Sequence, residues 1–257
     1  MTEIHPSAVV HPGAELGERV SIGPFAVIGA HVRLGEGTSV GPHAVIEGWT
    51  EVGRDCQISP GVVIGAPPQD LKYKGFRSFV RIGDRNIIRE YVTIHRSTQE
   101  EGATIIGHDN FLMAYTHIAH DCRIGNHVVI VNYTGLSGHV EVEDRAFISG
   151  HIAIHQFVRI GFLAMISGGS RVGKDVPPFM LAEGNPMQIR GLNTVGMQRN
   201  QIPAPVRLQL KQAFKLLYRS NLNTSQALQR IKAEIPMSAE VQRLVTFIEN
   251  SSRGIYR

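Results

Sequence analysis

Aliphatic residues recur at every sixth position through most of the chain between Ile4 and Val172. From Ile4 the series runs Val10, Leu16, Ile22, Ile28, Leu34, Val40, Ile46, Val52, Ile58 and Ile64, resumes at Ile82, Ile88 and Ile94, and continues from Ile106 to Val172. Of its 29 positions, 26 hold Ile, Val or Leu; their abundance would place about seven there by chance. A glycine often follows the aliphatic residue, as at Gly17, Gly35, Gly53 and Gly83, and four positions on stands a small or β-branched residue such as Ala8, Val20, Ala26 or Thr38. Period six fits neither an α-helix nor long alternating strands. It predicts very short strands joined by turns, each hexad forming one side of a triangular coil of three hexads, with aliphatic and small residues pointing inward. Coils would stack about 4.8 Å apart through parallel ladders.

The series fails only at Asp70, Phe76 and Glu100, which marks two inserted loops, about 66–80 and 97–104. The first follows two prolines and carries Gln69, Asp70 and Lys72, so it reads as a binding element; the second shows no preference. The pattern ends at Pro177-Pro178. From Ile202 the spacing turns helical, with Val206, Leu210, Phe214 and Leu217 on one stripe, and further helices are expected over 225–233 and 239–250. The predicted fold class is an all-β solenoid over 1–184 with a C-terminal α-helical domain over 185–257. The repeat resembles that of the hexapeptide-repeat acyltransferases, whose fold is a left-handed parallel β-helix; the hand is implied by the resemblance alone.

Charge divides the chain at the same place. Residues 1–184 hold 15 Lys and Arg against 19 Asp and Glu, a net −4, and residues 185–257 hold 11 against 3, a net +8. A basic helical part suits an anionic partner, and Arg207, Lys211, Lys215 and Arg219 recur along one helix. That stripe lacks interleaved aromatic residues, which argues against nucleic acid. No run approaches the roughly 18 apolar residues of a membrane span, and the N-terminal residues lack a signal peptide's apolar core, so a cytoplasmic protein is expected. The two cysteines, Cys56 and Cys122, stand at inward small positions and read as core residues.

The hexads starting at Ile118, Leu136 and Ile154 lie one full coil apart, which stacks His120 and Asp121, then Gly138 and His139, then His155 and Gln156 along one outer edge, with His117 beside them. Three readings compete for this column. Its histidines could be exposed turn residues. They could bind zinc, with His117/His120 and His151/His155 as pairs, because imidazoles ligate zinc well and some hexapeptide-repeat proteins are metal-dependent carbonic anhydrases. Or His120 could be a general base oriented by Asp121, with the backbone N–H of Gly138 open to an oxyanion.

The segment His117-Ile118-Ala119-His120-Asp121-Cys122, the loop Gln69-Asp70-Leu71-Lys72-Tyr73, Val92-Thr93-Ile94-His95-Arg96, His155-Gln156-Phe157 and the tail motifs Gly184-Asn185-Pro186 and Ser252-Arg253-Gly254 together resemble the UDP-N-acetylglucosamine O-acyltransferases over essentially the whole chain. The resemblance implies transfer of a 3-hydroxy fatty acyl chain from acyl carrier protein to the 3-hydroxyl of the sugar nucleotide, in lipid A biosynthesis. His120 would be the base, Asp121 its orienter and Gly138 the oxyanion donor. Gln69, Asp70, Lys72, His117, His139, His155 and Gln156 would line the cleft, Gly168 would leave room for the acyl end, and Asn193 and Arg199 would hold the uridine and phosphates. It further implies a homotrimer with sites between subunits, and neither metal nor cofactor. The nearest enzyme alternative is a 3-amino sugar acceptor; a CoA-dependent acetyltransferase is another.

Overall fold

The computed structural model describes residues 1–256. Strands of mostly two residues form three sheets of 11, 9 and 8 strands. These are the three faces of a parallel β-helix, opening with Glu3–Ile4, Val9–Val10 and Glu15–Leu16. Ile4 pairs with Ile22, Val10 with Ile28 and Leu16 with Leu34, so one coil takes three hexads as the period requires. Ile28, Ile46, Ile64, Ile94, Ile118 and Leu136 form a fully buried interior column. At the open first coil, Ile4 stays 46% exposed because no coil lies beneath it.

The insertions explain why the frame survives them. Ile58 pairs with Ile88, five hexads on, and Ile88 pairs with Leu112, four hexads on. The first loop therefore adds two hexads to its coil and the second adds one. Because both insertions are whole hexads, the inward positions stay in step, and Asp70, Phe76 and Glu100 lie on the looped-out segments.

The glycine after the aliphatic residue answers to stacking, not to turn conformation. A Cβ on Gly35 would sit 2.5 Å from the Gly53 carbonyl carbon, and one on Gly53 would sit 2.6 Å from that of Gly83. The left-handed residue of each corner lies two positions later and is usually not glycine: Asp121, His139 and Phe157 have φ of 62°, 61° and 63°. Such a conformation costs roughly 1–2 kcal/mol per residue, and the ladder bonds on either side hold it. Cys56 and Cys122 are free and fully buried; burial pushes the Cys122 thiol up to about 12.

Past Val172, Met180–Glu183 adds a further parallel strand to the first face, and Gln188–Leu192 turns back antiparallel onto it. The solenoid sheet therefore runs past residue 184, and the helices begin with α1 (Thr194–Arg199), followed by α2 (Ala204–Tyr218), α3 (Thr224–Glu234) and α4 (Ala239–Glu249). Sequence spacing predicts α2 to α4 within two residues, but not α1 or the hairpin, which are too short to show a period. Asn223 and Gln226 form a reciprocal capping box on α3, and Ser238 caps α4. The bundle buries Leu210, Leu217, Ile231, Leu244 and Ile248, each contributing about 1.5–3 kcal/mol. Arg243 of α4 reaches back to Glu143 at 3.4 Å and over the Phe162 ring at 4.2 Å, tying the bundle to a solenoid corner.

Candidate active site

Both insertions leave the coil at one edge, between the second and third faces. The first connects Val63–Ala66 to Phe79–Ile82 and the second connects Thr93–His95 to Ala103–Ile106. In the next coil the same edge carries Ala119, His120 and Asp121, because Ile94 pairs with Ile118. That four-hexad step sets Ser97 and Thr98, at the base of the second loop, under Asp121.

Asp121 is consequently the most heavily bonded carboxylate at this edge. It accepts from the Ser97 hydroxyl, from the Thr98 hydroxyl (2.7 Å) and N–H (3.2 Å), and from His120 Nδ1 (2.9 Å); His139 Nε2 lies 3.5 Å away. Burial pushes its pKa upward, but the bonds from Ser97, Thr98 and His120 outweigh that and hold the carboxyl below its ordinary value. An ionised Asp121 accepts from His120 Nδ1, which fixes the tautomer and leaves Nε2 as the basic nitrogen. Among the described residues nothing hydrogen-bonds Nε2.

Gly138 lies against that ring. A Cβ at Gly138 would sit 2.3 Å from His120 Cε1 and 2.7 Å from Nε2, and its N–H donates to no acceptor among the described residues. The His139 ring meets His120 edge-on at 5.3 Å and stacks on Phe157 at 4.5 Å. His117 Nδ1 is 2.7 Å from the Thr93 hydroxyl, and its ring stands edge-on to His95. Burial, then the neighbouring His117 and His120, lower His95 to about 4; burial and His120 lower His117. Both are neutral at pH 7.

The structure therefore brings together His117, His120, Asp121, Gly138 and His139, and adds Ser97, Thr98, His95 and Phe157. Counting three hexads per coil finds the first group. It misses Ser97 and Thr98, because pairing them with Asp121 needs the size of the insertion. The column is also less open than expected: His120 points outward from the coil yet is only 8% exposed, with Asp121, Gly138 and His139 against its ring.

Other predicted residues lie apart within the single chain. Gln69, Asp70 and Lys72 are on the first loop, where Asp70 accepts the Lys72 N–H at 2.8 Å, and no hydrogen bond, ion pair or ring contact joins that loop to His120 among the described residues. His155 and Gln156 are exposed two coils above, and His155 lines a cleft of about 420 Å³. Gly168 lies at the opposite edge of the second face with only Gly150 O and Ser149 Oγ near its notional Cβ, at 3.3 and 3.7 Å. Arg199 is exposed on α1. Asn193 Nδ2 donates to Leu163 O (2.9 Å) and its Oδ1 caps α1 at Gly196 N (2.9 Å), which leaves the residue 8% exposed within the single chain.

Of the zinc pairs, His151 stacks on Tyr133 at a different edge from His155. His120, Asp121 and His139 do bring one ligand atom each within 4.8 Å of one another. A cation there would have to displace the hydroxyl and N–H donors of Asp121, a donor set suited to a carboxylate that orients an imidazole.

Stacked hexads with an oriented imidazole at one corner define a hexapeptide-repeat transferase, and residues 31–66 and 103–138 match the bacterial transferase hexapeptide model. Residues 175–256 match the model of UDP-N-acetylglucosamine O-acyltransferase, domain 2. Curated acyl-[acyl-carrier-protein]–UDP-N-acetylglucosamine O-acyltransferases of Paracidovorax citrulli and Thermodesulfovibrio yellowstonii are 52% and 51% identical over all of this chain and all of theirs. The solved UDP-N-acetylglucosamine acyltransferase of Bacteroides fragilis is 43% identical, with a TM-score of 0.96 over 98% of this chain and 99% of that one. The chain belongs to the UDP-N-acetylglucosamine O-acyltransferase family, and its coil is the left-handed parallel β-helix of that fold.

Proposed function

We propose that this chain transfers a 3-hydroxy fatty acyl group from acyl carrier protein to the 3-hydroxyl of UDP-N-acetylglucosamine, with His120 as general base. One observation carries the reading: His120 is bonded through Nδ1 to an ionised Asp121, while its Nε2 has no partner among the described residues and faces the backbone of Gly138. A sugar hydroxyl is a poor nucleophile at neutral pH. His120 Nε2 takes its proton as the oxygen attacks the thioester carbonyl. The negative charge that develops on the carbonyl oxygen is met by the Gly138 N–H. Collapse of the tetrahedral intermediate breaks the carbon–sulfur bond, and the proton held by His120 passes to the departing thiolate. Asp121 stabilises the imidazolium between these steps.

Neutral His117 lines the cleft beside the base, with His139 next to it. His155 and Gln156 extend it toward Gly168 and the acyl end, while Gln69, Asp70 and Lys72 hold the sugar. Arg199 takes the phosphates as a fixed cation, and Asn193, which also caps the helix that carries Arg199, takes part in holding the uridine. Separation of the loop and Arg199 from His120 within one chain supports a homotrimer with sites completed between subunits. Among the described residues no helix is long and apolar enough to cross a membrane, and the two free buried cysteines suit a cytoplasmic enzyme. The test is to incubate the purified protein with UDP-N-acetylglucosamine, or its 3-amino analogue, and a panel of acyl carrier protein thioesters. A 3-O-acylated product, identified by mass spectrometry, is expected. Turnover of the 3-amino acceptor alone would overturn the acceptor assignment.

A further inference from the structure

The C-terminal residues fold back over the last coil as a strap. Asp175, fully buried, accepts from the Ser251 hydroxyl at 2.7 Å and donates its N–H to Gly254 O at 3.1 Å. The Tyr256 hydroxyl accepts the N–H groups of Gly173 and Lys174, and Ile255 is buried between these anchors. Arg253 is thereby held with its Nε and Nη2 on Gly173 O, at 3.2 and 3.0 Å, and with Nη2 3.3 Å from His155 Nδ1, a residue 98 positions earlier.

A guanidinium only donates. Contact with Arg253 therefore requires an unprotonated His155 Nδ1 and puts the ring proton on Nε2. The same Nδ1 lies 3.2 Å from the Gln156 carbonyl, which only accepts and favours the opposite tautomer. Two neighbours thus compete for one nitrogen, and the charged donor forms the stronger bond. His155 opens on a cleft walled by Ala153, Val172, Pro186 and Met187, a lining suited to a hydrocarbon arm.

We propose that Arg253 is a positioning residue that sets the tautomer of His155, so that its Nε2–H donates a hydrogen bond to the acyl donor. The donor side rests on the function proposed above; the tautomer does not. Without Arg253 the Gln156 carbonyl would win, and Nε2 would turn from donor into acceptor, facing the thioester arm with the wrong polarity.

The experiment uses the full-length protein labelled with 15N-histidine, with His155 assigned by its loss in His155→Gln. Long-range 1H–15N spectra of the wild type should give His155 the Nε2–H pattern. Arg253→Met, which keeps the apolar stem, should shift it toward Nδ1–H, and Arg253→Lys should restore Nε2–H. In steady-state assays, Arg253→Met should raise the KM for the acyl carrier protein thioester about tenfold, the value of one lost hydrogen bond, and leave the nucleotide KM within about twofold. A protonated Nδ1 in the wild type, an unchanged tautomer in Arg253→Met, or an equal rise in both KM values would overturn the proposal. If the wild type makes no acylated nucleotide, the proposed function and the donor side fall, while the wild-type spectrum still decides the tautomer even if Arg253→Met unfolds.

Discussion

Replacing Ser97 with Ala and Thr98 with Val together would remove two hydroxyl donors from Asp121 and leave His120 Nδ1 and the Thr98 N–H in place. Hydrogen bonds to a charged group are worth about 1.5–3 kcal/mol each, and Asp121 is too buried for water to replace them freely. Burial is the largest single influence on its pKa and acts upward. With two opposing bonds gone, the Asp121 pKa rises. That rise moves the acid limb of the kcat/KM profile to higher pH, because a protonated Asp121 no longer orients His120. If about one hydroxyl bond's worth of orientation reaches the transition state, kcat/KM at the optimum should fall about 10- to 100-fold. Stability follows the same sign. A depressed carboxyl pKa stabilises the fold above the unfolded value, and that contribution is lost as pH falls through the folded value; in the double variant it should shrink throughout and fade at higher pH than in the wild type. The assay is the pH dependence of initial rates, with urea melts at matched pH. An unmoved acid limb with kcat/KM within about twofold of wild type would show that the second loop merely closes a corner.

Gly138→Ala should cost about 10²-fold or more in kcat, because the new Cβ would lie 2.3 Å from His120 Cε1 and a displaced base loses its alignment; a wild-type rate would remove Gly138 from the site. Gly168→Met should move donor preference toward shorter chains, each methylene left unburied being worth about 0.8 kcal/mol, and an unchanged donor profile would put the length limit elsewhere. Changing Lys211, Lys215 and Arg219 to Glu should raise the KM for acyl carrier protein more than that for the nucleotide, with added salt acting on the wild type in the same direction. Normal carrier binding by that variant would leave the stripe of α2 as a solvated face.

Most of the solenoid is legible because its information is local and periodic. Ile58 announces a pairing partner a whole number of hexads away, whether the coil holds three hexads, as toward Val40, or five, as toward Ile88. The His120–Asp121 pair is legible because its members are adjacent and the coils above it are uninterrupted. Ser97 is hidden by the extra hexad that moves its partner from three hexads away to four. Arg253 and His155 meet through a strap whose path no period records. The burial of His120 is equally invisible, since it depends on how the edge closes around Asp121. Asn193 also caps α1, a local use that the motif alone does not show.

The central claim is that His120 abstracts the proton of the acceptor hydroxyl. His120→Ala should fold with an unchanged melting profile, its ring lying outside the coil interior, and should lose about 10²–10⁴-fold in kcat when assayed with UDP-N-acetylglucosamine and a 3-hydroxyacyl carrier protein thioester. A folded His120→Ala protein that still forms the acylated nucleotide at near the wild-type rate would contradict the account.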